Sequence, residues 1–211
     1  MPPPLPITLN RTLAAAKTRA NLLEIIHKYV HEFSEVNLVT ALHRLAKLGR
    51  IPPAQPGVVA LRSKLLESLR DPTCQFAPRA LTNGLWALAT VRDGDAVLVD
   101  ALCARAARMD LNQFGRQDLV GTLWALASLR MGVAELAVGL CEEAQGKVGR
   151  FSAREISNTL WSLAVIKSHD HRLLDALLDE VSLTVHDFKP QHLANGMWAI
   201  AVMKAHSCRD L

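Results

Sequence analysis

The feature that most constrains this chain is a nine-residue motif that recurs at a fixed interval. It reads LTNGLWALA at 81–89, LVGTLWALA at 119–127, ISNTLWSLA at 156–164 and LANGMWAIA at 193–201. Its tryptophans, Trp86, Trp124, Trp161 and Trp198, follow one another at steps of 38, 37 and 37 residues. A period of this length is typical of repeat proteins, in which each unit packs mainly on its neighbours.

A phenylalanine ten residues before each tryptophan supports the repeat and reveals a further copy upstream. The four phenylalanines are Phe76, Phe114, Phe151 and Phe188. Phe33 lies ten residues before His43, and LVTALHRLA at 38–46 follows the motif with histidine in place of tryptophan. Repeats of 37–43 residues therefore start near 33, 76, 114, 151 and 188, which makes about five copies, the last one partial.

Composition and periodicity predict an all-α fold. Half of the residues are hydrophobic but only 5% are aromatic, and the abundant alanine and leucine favour helices. We expect a tryptophan-bearing helix A at about 78–92, 116–130, 153–167 and 190–205, and a helix B at about 58–70, 95–109, 133–147 and 170–184. Short turns between helices A and B favour antiparallel pairs, so the sequence predicts a right-handed α-solenoid of antiparallel helix pairs.

The ends of the chain carry separate expectations. Residues 1–10 are predicted to be a proline-rich segment, and 11–211 one solenoid domain that starts with a single helix over 11–32. Arg11, Lys17 and Arg19 with no acid in the first 23 residues are typical of an organellar transit peptide, but we favour the first helix of the stack. No helix B follows the last helix A, so either the chain is a fragment or its apolar end binds another protein.

The sequence offers no chemistry of catalysis. A glycine-rich phosphate loop, HExxH and GxSxG are all missing, so we expect no enzyme and no cofactor. His169-Asp170-His171 and the pair of His206 and Cys208 are weak metal candidates, and we expect no metal. Cys103 and Cys141 occupy a place that Leu178 fills in the next repeat, which indicates buried apolar residues. No apolar run approaches the roughly 18 residues that span a bilayer, so we expect no membrane partner.

Charge separates by helix type. Segments 78–92, 116–130, 153–167 and 189–204 hold eight Lys or Arg residues against two acids, whereas 93–113, 131–150 and 168–188 hold five against twelve. A basic face of this kind suits a polyanion laid across the repeats. Counted from the tryptophan, position +6 is always basic: Arg92, Arg130, Lys167 and Lys204. Attraction of cations to helix C-termini, about 0.3–1 kcal/mol, also explains that row, but not the cations near the helix starts.

A polar face beside the core of helix A supplies the other candidate RNA-binding residues. Apolar residues at −5, −1, +2 and +5, mostly leucines, form the expected core stripe. The candidates are Arg79, Gln117, Arg154 and Gln191 at −7, Arg116 beside them, Thr82 and Ser157 at −4, and Asn83, Asn158 and Asn195 at −3. The asparagines could equally hydrogen-bond the backbone of a neighbouring repeat. For the tryptophans we favour packing between repeats over stacking on bases.

The motif L-x-N-x-L-W-A-L-A, with phenylalanine ten residues before the tryptophan, resembles the octotricopeptide-repeat family of RNA-binding proteins. It is similar also to the repeats of FAST-kinase-like and RAP-domain proteins, and Leu48 to Pro53 resembles their L-G-x-x-P-P stretch. Gly121 and His43 depart from the pattern, and the resemblance covers about 33–205.

The resemblance implies sequence-selective binding of single-stranded RNA in a chloroplast or mitochondrion, for transcript processing, stability or translation. The alternative is an armadillo-like scaffold for protein–protein interaction, and the alternative location is the cytoplasm.

Overall fold

A computed structural model of the chain describes residues 6–49, 54–92, 95–131, 134–168 and 170–207, and every regular element in these ranges is helical. The odd-numbered helices are α1 (Pro6–Ala15), α3 (Glu35–Lys47), α5 (Pro78–Val91), α7 (Arg116–Leu129), α9 (Ala153–Ile166) and α11 (Pro190–Ser207). The even-numbered helices are α2 (Arg19–Tyr29), α4 (Pro56–Arg70), α6 (Ala96–Ala107), α8 (Ala134–Gln145) and α10 (His171–Thr184). The all-α prediction is confirmed, and the eight predicted A and B helices match within about two residues at each end.

The prediction of one helix over 11–32 is wrong. The chain forms α1 and α2 instead, and the break between them lies at Thr18, whose backbone is extended and whose hydroxyl accepts a hydrogen bond from Asn21 N–H at 3.3 Å. A threonine in this role caps the start of a new helix. Helix α1 begins at Pro6, a position where the missing N–H costs nothing, so residues 6–10 belong to a helix. The single solenoid domain over 11–211 stays a prediction.

The chain divides into two compact units, Met1–Met109 and Asp110–Leu211, and each is described by itself. In the first unit α1, α3 and α5 pack in one row, and α2, α4 and α6 pack in a second row. In the second unit α7, α9 and α11 form one row, and α8 packs on α10. Within each unit, helices that pack together in a row are therefore two places apart along the chain, as repeated helix pairs require.

The core stripe lies where the motif predicts it. Leu81, Leu85 and Leu88 are fully buried, and the equivalent leucines of α7 are at most 1% exposed. Position +5 is only half-buried, at Val91 and Leu129. Phe114 is also fully buried, and the other landmark phenylalanines are buried except the last, which is half-buried.

Side chains from one repeat bind the backbone of the segment before it. The Lys64 ammonium donates to the carbonyl of His31, and the Arg105 guanidinium donates to the carbonyl of Cys74. Lys147 Nζ donates to the carbonyl of Phe114 at 2.8 Å. These carbonyls lie in the turns that lead into helix A, so the cations fix the turns and satisfy backbone groups that no helix pairs.

The outer side of α11 exposes residues that are buried in the earlier copies. Met197 is 70% exposed, whereas Leu85 at the same position is fully buried, and Trp198 is 48% exposed. Binding of another protein at this face stays a prediction. Among the described residues, no helix combines the length and the apolar character that crossing a membrane would need.

We expect Phe114→Ala to lower the free energy of unfolding by about 3–5 kcal/mol, because it removes a fully buried ring and leaves a cavity. Val138→Ala is the matched control in the same unit, since Val138 is 56% exposed, and should change the free energy by less than about 0.5 kcal/mol. Urea unfolding followed by far-UV circular dichroism measures both. Equal effects of the two substitutions would contradict the assignment of Phe114 as a core residue.

Candidate nucleic-acid interface

Three of the four predicted cations at +6 lie at helix ends with a left-handed backbone. Arg92, Arg130 and Lys167 directly follow α5, α7 and α9 with φ of 51°, 53° and 55°, and they are the non-glycine residues with positive φ among those described. Beyond the cap of α7, Met131 N–H donates to the carbonyl of Leu126 at 3.2 Å. This bond satisfies a carbonyl that the last turn of the helix leaves open.

A cation is an unusual choice at such a cap. Glycine is the common residue there, because a Cβ in the left-handed region crowds the next carbonyl and costs roughly 1–2 kcal/mol. Attraction to the helix C-terminus returns only about 0.3–1 kcal/mol and is available one position earlier without the strain. Helix-end attraction therefore does not fully account for the row. Lys204 differs from the other three, since it lies inside α11, which runs to Ser207.

Two of these caps share one groove in the second unit. Arg130 and Lys167 are both exposed, and they line a shallow groove of about 520 Å³ whose other walls include Ala127, Ala164 and Val165. Neither cation forms an ion pair with a residue in the described part of the chain. The groove therefore combines an apolar floor with two available positive charges.

The candidates near the helix starts are exposed, but Arg116 also has a structural contact. Arg79, Gln117, Arg154 and Gln191 all lie at the surface. The Arg116 guanidinium lies 3.3 Å from the Glu155 carboxylate and donates to the Arg150 carbonyl at 3.0 Å. Arg116 thus joins α7 to the start of α9, and part of its charge is balanced there.

The two candidates at −4 are buried. Thr82 is 5% exposed and Ser157 is 1% exposed. The Ser157 hydroxyl donates to the backbone carbonyl of His192 at 3.0 Å, which ties α9 to α11. A nucleic-acid strand bound at the surface cannot reach these two buried hydroxyl groups, so we remove both residues from the candidate interface.

The asparagines at −3 remain candidates. Asn83, Asn158 and Asn195 are half-buried, so each has a route to solvent. Within the described ranges, none of their side-chain amides hydrogen-bonds another residue. The alternative in which they bind the backbone of a neighbouring repeat is therefore not supported, and their donors and acceptors are available to a ligand.

Trp86 contributes to packing between repeats. The His43 and Trp86 rings occupy the same position in successive copies, and their centroids lie 4.9 Å apart with planes tilted by 56°. Burial, followed by the charges of Lys47 and Arg44, lowers the pKa of His43 to about 4, so the imidazole is neutral at pH 7. Trp86 is half-buried, as are Trp124 and Trp161. This contact supports packing over base stacking at the first pair.

A cleft next to Lys167 was not anticipated from the sequence. It has a volume of about 990 Å³, lies between α8 and α10, and includes Met131, Val138, Ile166 and Arg172 in its lining. Met131 and Arg172 fall in a turn and a helix B, where the repeats share little sequence, so no periodic signal marks them.

Exposed charge differs between the two rows of helices in the second unit. The row of α7, α9 and α11 exposes cations within the helices or at their caps: Arg116, Arg130, Arg154, Lys167 and Lys204. Helices α8 and α10 mainly expose acids: Glu135, Glu142, Asp175 and Asp179, beside Arg172. The segregation seen in the sequence therefore reaches the surface of this unit.

The thiols and the histidines offer no assembled reactive centre among the described residues. Burial raises the pKa of Cys103 and of Cys141 to about 12, so both thiols stay protonated. Within the part of the chain that the structure describes, no three His, Cys, Asp or Glu residues cluster as metal ligands would. His169, Cys208 and the side chain of His206 lie outside the described residues, as do Arg50 to Pro53 of the L-G-x-x-P-P stretch.

No protein-family model and no curated protein matches this sequence.

We expect the stability of the wild type to fall between pH 6.5 and 4 more than that of His43→Phe. A histidine whose folded pKa is depressed stabilises the fold above its unfolded pKa, and this contribution is lost as protons bind the unfolded chain. Phenylalanine keeps a ring beside Trp86 without a titrating group. Melting temperatures across this range measure the difference, and parallel curves for the two proteins would show that His43 titrates normally.

Proposed function

We propose that this chain binds single-stranded RNA with sequence selectivity, as a protein of the octotricopeptide-repeat type whose helix pairs stack in a right-handed α-solenoid. The observation that carries the proposal is the segregation of exposed cations onto the tryptophan-bearing helices of the second unit, with acids mainly on its other row. Positive charge repeated once per helix suits a ligand with regularly repeated negative charge.

The arrangement along each helix supports two kinds of contact. Cations near both ends of α9, Arg154 and Lys167, can neutralise phosphates, and the half-buried Asn158 between them can hydrogen-bond a base edge. RNA is read mainly as single strands whose unstacked bases expose these edges. Because Thr82 and Ser157 are buried, base reading in this proposal rests on −7 and −3.

The cellular location in this proposal is a chloroplast or mitochondrion, where the protein would act in RNA processing, stability or translation. This part rests on the family resemblance and on the basic residues near the N-terminus. Helix α1 packs on α3, so Arg11 in α1 belongs to the packed unit. The cytoplasm is the alternative.

A protein-binding scaffold is the second candidate, favoured by the apolar part of the cleft between α8 and α10. Extended peptides bind grooves of stacked helices through apolar pockets and backbone contacts. A peptide that bound there would depend on Val138 and Ile166 rather than on the cations of the other row.

Lys189 is an exposed cation directly before α11, as Arg154 is an exposed cation near the start of α9. We expect Arg154→Gln with Lys189→Gln to weaken RNA binding and to lower its salt dependence. Each lost phosphate contact reduces the slope of log K against log salt by about 0.7 for a single strand, so the pair should lower it by about 1.4. Fluorescence anisotropy with a labelled oligouridylate at several salt concentrations measures both quantities.

The control for that experiment is Arg70→Gln with Arg108→Gln, which removes two exposed cations from α4 and the end of α6. Its slope should stay near that of the wild type. Equal effects of the two double variants would mean that binding follows net charge alone. A wild type that binds an extended peptide with apolar side chains better than RNA would favour the scaffold.

We expect Asn158→Ala to reduce discrimination among RNA sequences while leaving the salt slope unchanged. The substitution removes a base-reading amide but no charge, and one lost specific hydrogen-bonding contact is worth about 1–3 kcal/mol of discrimination. Selection from a random RNA pool, followed by sequencing, compares the two proteins. An unchanged selected motif would assign Asn158 to packing.

A further inference from the structure

We propose that Arg130 and Lys167 form a two-cation clamp for phosphates of one nucleic-acid strand, held open by the left-handed caps of α7 and α9. This inference rests on the proposed function and deepens it, because it assigns the phosphate contacts to particular residues and gives the cap conformation a role. The ligand chemistry is the phosphodiester backbone, independent of base sequence.

Arg130 and Lys167 line one shared groove. Helices α7 and α9 pack directly on each other, and their caps line the same groove together with Ala127 and Ala164. Packed helices lie roughly 8–10 Å apart, so the two charges stand at neighbouring repeats without touching. The groove of about 520 Å³ that both cations line offers space for a chain to pass.

Arg130 and Lys167 both have a left-handed backbone conformation. A residue in the left-handed region sends its side chain in a direction different from that of a helical residue at the same place. At the ends of α7 and α9 this conformation is occupied by Arg130 and Lys167, where glycine would fit without strain. Strained backbone that persists at the same position of successive repeats points to a role for the side chain.

Within the described residues, no acidic side chain competes with a ligand for the two clamp cations. Both side chains are exposed, and among the described residues neither pairs with an acid. Arg116, at the opposite end of α7, differs in this respect because it binds Glu155 at 3.3 Å. The clamp cations can therefore neutralise a ligand without first breaking an internal ion pair. Arg92 repeats the cap in the first unit with φ of 51°.

The test compares the wild type with a double variant that carries both Arg130→Gly and Lys167→Gly. Glycine accepts the left-handed backbone, so the fold should persist with a melting temperature close to that of the wild type. We expect the salt slope for a labelled oligouridylate to fall by about 1.4, because two phosphate contacts are lost. Arg130→Asn with Lys167→Asn should behave alike, since asparagine also tolerates this conformation.

Two controls separate the outcomes. Arg70→Gln with Arg108→Gln removes cations at the ends of α4 and α6, where helix-end attraction is the same, and should leave the slope unchanged. Replacing phosphodiesters of the oligonucleotide by neutral methylphosphonates should weaken binding by the wild type more than binding by the glycine variant.

An unchanged salt slope for the glycine variant, together with equal sensitivity of both proteins to methylphosphonates, would overturn the clamp while leaving RNA binding intact. A wild type that does not bind the oligonucleotide at low salt would overturn the proposed function itself.

Discussion

Close approach between neighbouring helices is the constraint on which this structure depends. Position −2 of helix A is always small and buried, at Gly84, Thr122, Thr159 and Gly196. A Cβ on Gly84 would lie 3.1 Å from Leu102, and one on Gly196 would lie 3.6 Å from Leu160. A larger residue at Gly84 would therefore require the Leu102 side chain to shift, whereas a Cβ on Gly196 would make an ordinary van der Waals contact. Dense interiors tolerate overpacking poorly, which explains why this position holds only small residues.

That packing also sets the spacing of the surface chemistry. Once α7, α9 and α11 lie side by side, any residue type repeated at the same motif position recurs once per helix within the unit. Cations at the helix ends thus form a row without requiring contacts of their own. Arg116 has a further role, because it contributes to the packing through Glu155. Its exposure alone would have suggested the same role as Arg154.

The sequence predicts the helices well because the 37-residue period and the leucine spacing are strong and repeated. The break at Thr18 was missed because one capping residue inside a helical pattern is a weak signal and lies outside the recognisable repeats. The burial of Thr82 and Ser157 was missed for another reason. A helical wheel separates core from surface for one helix on one neighbour, whereas helix A has neighbours on several sides. Such a helix buries a wider arc than its leucines mark.

The positions that remain open define a narrower stripe than the motif suggested. Residues at −7, −3 and +4 are spaced by four and seven, so they lie one above another on a helix. In α9 these are Arg154, Asn158 and Val165, which are exposed, half-buried and half-buried in turn. Position −4 is turned about 100° from −3, and that rotation carries Ser157 toward α11. A ligand that follows this stripe meets a cation first, then an amide, and then the cap that ends the helix. In the proposed RNA complex, this order of groups along one helix, rather than any single residue, would match a strand of phosphates and bases.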